Sequence, residues 1–74
     1  MNAPNSITDD LMVVFNGRAM SPDLKYDMKQ YLLSYLADDV DDIKISLDYD
    51  RHSVNVDLVF ENDKQAMWFN LKYL

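Results

Sequence analysis

Residues 43–60 carry the pattern that most narrows what this chain can become. Ile43, Ile45, Leu47 and Tyr49 alternate with Lys44, Ser46, Asp48 and Asp50. After the polar stretch Asp50-Arg51-His52-Ser53, Val54, Val56, Leu58 and Phe60 alternate with Asn55, Asp57, Val59 and Glu61. A period of two sends every second side chain to one face, so each run reads as a strand with one buried side. Two such runs joined by a short turn predict an antiparallel hairpin.

The segment before the hairpin reads as a helix. Ser21 supplies an N-cap oxygen, Pro22 suits the first helical position, and Asp23 meets the positive end of the dipole. Leu24, Met28, Tyr31, Leu32, Tyr35 and Leu36 then form one apolar stripe, with Lys25, Lys29 and Ser34 off it. The helix is expected to end near Ala37. After the hairpin, Asn62 or Asp63 caps a second helix from Lys64 to about Tyr73. Ala66, Met67, Phe69, Asn70, Tyr73 and Leu74 fall near one of its faces.

At the front, residues 1–8 read as a flexible polar tail. Leu11-Met12-Val13-Val14-Phe15 is a wholly apolar run rich in β-branched residues and reads as a strand, ended by the turn signal Asn16-Gly17. The expected order is therefore β-α-β-β-α in a single domain, residues 9–74. A right-handed crossover places the first two strands parallel with the third between them. The fold class expected is α+β: a two-layer sandwich with a three-stranded antiparallel sheet, order 1-3-2, and two helices on one face. This is a split β-α-β plan without its last strand.

The chain of 74 residues has no cysteine, which excludes a disulfide scaffold and a Cys-ligated metal. No apolar stretch approaches the ~20 residues of a membrane helix, and no leader pattern opens the chain, so the cytoplasm is the expected compartment. A core this small buries a low fraction of its surface. A homodimer or a covering partner is therefore expected.

The 13 acidic residues outnumber the 7 basic ones, for a net charge of −6. The basic residues are scattered, which argues against direct nucleic-acid binding. Twelve of the acids are Asp and one is Glu61. Asp38, Asp39, Asp41 and Asp42 crowd into five positions. The calcium-loop pattern fails there, because its Gly and Glu positions hold Ile43 and Tyr49, so no metal site is expected. With Asp48 and Asp57 added, these carboxylates read either as solvated turn residues or as an acidic surface. Such a surface can imitate the charge spacing of a nucleic-acid backbone and meet a basic protein patch.

Three further features point to partner binding. The expected open sheet face shows Met12, Val14 and Val59 within a rim of Asp48, Asp57 and Glu61, and such patches mark interaction sites. Tyr26 falls off the helical stripe, and Trp68 falls at the edge of the second helix's face. Both are candidate anchors. His52 lies in a turn with no pocket, and no nucleophile, phosphate loop or cofactor motif is present, so neither catalysis nor a cofactor is expected.

The stretch from Phe60 to Leu74 resembles the ending of many short accessory proteins of tailed bacteriophages. The matching positions are Ala66, Met67, Phe69, Leu71 and Tyr73, while Asn70 stands where those proteins carry Lys. The resemblance implies a small phage accessory factor, acting in the host cytoplasm by binding and modulating a host or phage enzyme. On the sequence, the chain is expected to be a non-enzymatic acidic binding module, an inhibitor that occludes a basic site. Its contacts would come from Asp38, Asp39, Asp41, Asp42, Asp48, Asp57, Trp68 and Tyr26. The alternative is a homodimeric assembly protein that uses the open sheet face.

Overall fold

The computed structural model describes residues 1–19 and 21–73. Among them lie three helices and a two-stranded antiparallel sheet: α1 (Asn5–Val14), α2 (Pro22–Leu36), β1 (Asp42–Asp48), β2 (Ser53–Val59) and α3 (Asp63–Tyr73). The hairpin and the helices on either side of it stand where the residue pattern places them. Ile43 pairs with Leu58, Ile45 with Val56 and Leu47 with Val54. Ile43, Ile45, Val54, Val56 and Leu58 are buried on one face, while Lys44, Ser46, Asn55 and Asp57 are exposed on the other.

Helix α2 starts as its residues dictate. Ser21 Oγ accepts from the Leu24 N–H at 3.3 Å, with Pro22 in the first turn. Leu24, Met28, Leu32 and Leu36 are buried at four-residue spacing and face the sheet. Tyr31 is half-buried and Tyr35 is exposed.

The expected first strand is a helix. Residues 11–15 lie in the second half of α1 and at its end, so the three-stranded sheet with two helices is replaced by a two-stranded sheet with three. The run Leu11–Phe15 is continuous in hydrophobicity but not in burial. Leu11 is fully buried, whereas Val13 is 75% exposed and Met12 and Val14 are exposed as well. Ile7, Leu11 and Phe15 lie four apart, and Ile7 and Leu11 are the buried residues of α1. Packing that stripe against the sheet outweighs the β preference of Val13 and Val14, since propensity yields to tertiary context. Met12 and Val14 therefore sit on a helix, and the apolar sheet patch they were expected to share with Val59 does not form.

Residues 1–8 bond to β2 and lead into α1. Ala3 donates its N–H to the Val56 carbonyl at 2.9 Å, and Leu58 donates to the Met1 carbonyl at 2.7 Å. Asn2 thus bridges Asp57 on the outer edge of β2. In the expected strand order that edge belonged to the first strand, so the position is filled, but by other residues. The Pro4 carbonyl then accepts from Ile7 and Thr8 to open α1.

Candidate functional site

Helix α3 is fastened at both ends and at its middle. At its start, Asn62 Oδ1 accepts from the Gln65 N–H at 2.9 Å, and Gln65 Oε1 accepts from the Glu61 N–H at 2.7 Å. This reciprocal arrangement satisfies donors that a helix end leaves free. In its middle, Phe69 is buried, with its ring 5.4 Å from that of Phe60 and 4.5 Å from that of Tyr73. At its end, one carboxylate takes two donors. Asp39 Oδ2 accepts from Lys72 Nζ at 3.1 Å and from the Tyr73 hydroxyl at 3.0 Å.

Burying Phe69 decides which residues α3 shows to water. Each helical step turns about 100°, so Met67 and Leu71, two steps away on either side, fall on the far side. Trp68 and Leu71 are 64% and 73% exposed, and Met67 is exposed too. Met67 thus leaves the inward face that its spacing suggested, while Leu74 lies outside the described residues. Exposed apolar residues clustered this closely mark a binding surface.

A groove of about 680 Å³ runs between this helix and the turn that joins α2 to β1. Trp68, Leu71 and Lys72 form one wall, and Asp38, Asp39 and Glu61 supply carboxylates around it. Asp38 and Glu61 are exposed and, among the described residues, make no ion pair. Asp39 is already spoken for, and its carboxylate raises the pKa of Lys72 above the ordinary value. Tyr73 is raised as well, first by burial and then by its bond to Asp39. The groove therefore offers an apolar floor, two uncommitted carboxylates, the Lys64 ammonium and one neutralised ion pair.

The structure sorts the sequence candidates. Asp38, Asp39 and Trp68 meet in the groove. Asp41 is exposed beside it, and Asp42 turns away to accept from the Ile43 N–H at 2.8 Å and to pair with Lys29 at 3.2 Å. Those two contacts, the backbone bond first, hold the Asp42 carboxyl below the usual range. Asp48 sits at the hairpin end, where it accepts from the Arg51 N–H at 3.2 Å. Asp57 faces outward on the sheet, 2.8 Å from the Met1 amino group. Tyr26 is exposed on α2, away from the groove.

Leu71 and Lys72 belong to the site but were not expected as contact residues, and Glu61, expected on the rim of the open sheet face, lines the groove instead. The signal for Leu71 was present: it follows Phe69 by two positions, which on a helix means the opposite side. Among the described residues, no group of three or more acidic or His side chains is placed to hold a metal ion. No helix among them is long and apolar enough to cross a membrane. Comparison with family models, curated proteins and solved structures finds no match.

Proposed function

We propose that this chain is a non-enzymatic protein-binding module whose docking site is the groove between α3 and the α2–β1 turn. The observation that carries the reading is the outward display of Trp68 and Leu71 beside the free carboxylates of Asp38 and Glu61. Trp is the residue most enriched at binding hot spots, and burying it against a partner supplies apolar area at little entropic cost. The carboxylates then select for a partner segment that is apolar in its centre and basic at its flanks. Occluding a basic site on a host or phage enzyme in the cytoplasm is the action we assign to it. The stretch that resembles phage accessory proteins is the one that builds α3 and its lead-in, which supports the same class.

The test is affinity capture from lysate of the producing cell with wild type, Trp68→Ala and the double variant Asp38→Asn, Glu61→Gln. The expected result is one partner held by wild type at low salt, lost with Trp68→Ala, and weakened by the double variant as by high salt. Capture that is indifferent to Trp68→Ala would remove the groove from consideration.

A further inference from the structure

The outer edge of β2 is bonded to residues 1–3, whereas the outer edge of β1 pairs with no strand among the described residues. The peptide groups of Val56 and Leu58 bond to residues 1–3, so they point away from β1. Their cross-strand neighbours are Ile45 and Ile43. Residues opposite each other in an antiparallel ladder share one orientation. Ile43, Ile45 and Leu47 therefore turn their N–H and C=O groups outward along the far edge of β1. Ile43 bears this out, because its N–H donates to the side chain of Asp42 and not to β2. On that edge Ile45 and Leu47 find no acceptor among the described residues.

We propose that the β1 edge pairs antiparallel with the β1 edge of a second copy, with Ser46 on the two-fold axis. In this register Ile45 of one copy exchanges both backbone hydrogen bonds with Leu47 of the other. These are the two edge residues whose outward backbone groups have no partner among the described residues; they lie just below the surface, Ile45 buried and Leu47 half-buried. The exposed face matches at the same time, because Lys44 of each copy stands opposite Asp48 of the other. Lys44 is exposed and makes no ion pair among the described residues, since its neighbour Asp57 lies against the Met1 amino group. Asp48 accepts from the Arg51 N–H through Oδ1, and its Oδ2 has a 3.8 Å contact to the Arg51 guanidinium.

Neighbouring registers are worse. Placing Ile45 on the axis sets Asp42 against Asp48 and calls on the Ile43 N–H, which is already used. Placing Lys44 there sets two lysines face to face, and like charges directly opposite destabilise a sheet. Placing Leu47 there pairs Ile45 with Tyr49, beyond the last residue of the strand. An edge lysine ordinarily guards against such pairing. Here it becomes the complement of the partner edge.

The chain has no cysteine, so a single introduced thiol reads the geometry. Residues facing each other between hydrogen-bonded pairs approach to about 4.5 Å between Cα atoms, within disulfide range. Oxidised Ser46→Cys is expected to run as a covalent dimer, while Asn55→Cys on the same face stays monomeric. In sedimentation, Lys44→Glu or Asp48→Lys alone is expected to weaken self-association about tenfold. Mixing the two variants restores it, because both contacts between positions 44 and 48 are then of opposite sign. Should Asp48→Lys lose its fold through the lost turn contact, Lys44→Glu and Ser46→Cys still decide. A wild-type chain that sediments as a monomer up to millimolar concentration overturns the proposal. So does a Lys44→Glu variant that associates as wild type does.

Discussion

Lys72 on α3 and Asp39 in the α2–β1 turn lie 3.1 Å apart, and the same Asp39 oxygen takes the Tyr73 hydroxyl. One carboxylate thus closes the end of the groove and ties the last turn of α3 to the body of the protein. The Lys72 side chain is 61% exposed, so water screens the ion pair, whereas the Asp39 side chain is 22% exposed. Asp39→Ala is expected to cost about 1 kcal/mol in urea unfolding. Asp39→Asn, which keeps an acceptor, should cost less. Amide exchange should quicken mainly in residues of α3. An even rise across the chain would place the effect elsewhere.

Helix α1 makes opposite demands on neighbouring residues. Leu11→Ala should lose about 3 kcal/mol, since it leaves a cavity under a fully buried side chain. Val13→Lys should change stability by no more than about 0.5 kcal/mol, because Val13 lies in water. A strand at this position would reverse that order for Val13. Thermal melts of the two variants therefore test the helix directly.

Three tyrosines make the fold sensitive to alkali. Tyr35 is pushed from 10.0 up to about 12, first by burial and then by the charge of Asp10 and by its neighbours Tyr31 and Tyr73. Tyr31 is raised chiefly by donating to Asp10 at 2.6 Å, and Tyr73 chiefly by burial. All three hold their protons more tightly folded than unfolded. Above pH 10 the folded chain therefore binds more protons, and stability falls with rising pH. The contribution is complete below pH 10 and lost on the way to about 12. The urea midpoint should be flat to pH 9 and then drop, and Tyr35→Phe should flatten the drop.

Asn70 offers a gain. Its Oδ1 is buried and, among the described residues, has no hydrogen-bond partner. An unmet buried acceptor costs about 1–3 kcal/mol. Asn is also a poorer helix former than Ala. Asn70→Ala is therefore expected to raise stability by about 1 kcal/mol, read as a higher melting temperature. A lower one would mean that the amide packs better than it bonds.

Much of the hairpin and of α2 could be read from residues alone, because the signals are local. Alternation from Ile43 to Phe60 sets the strand faces, and Ser21-Pro22-Asp23 sets a helix start within one residue. The acidic turn and Trp68 were each visible as candidates. Their adjacency was not, since no local rule tells α3 to fold back against the α2–β1 turn. Phe69 packing on Phe60 and the reach of Lys72 to Asp39 bring them together.

By itself the sequence determined the period-two strands with their buried faces and the two helices α2 and α3. Periodicity and capping act between near neighbours, so they survive without the fold. Tertiary structure decided the fate of Leu11–Phe15. A run without a period carries no information about which side is buried, and that choice came from Ile7 and Leu11 packing on the sheet. Tertiary structure also decided that residues 1–3 would bond to the outer edge of β2 and that, among the described residues, no strand would pair with the outer edge of β1. Edge pairing depends on which segments meet in space, and no spacing within one strand encodes it.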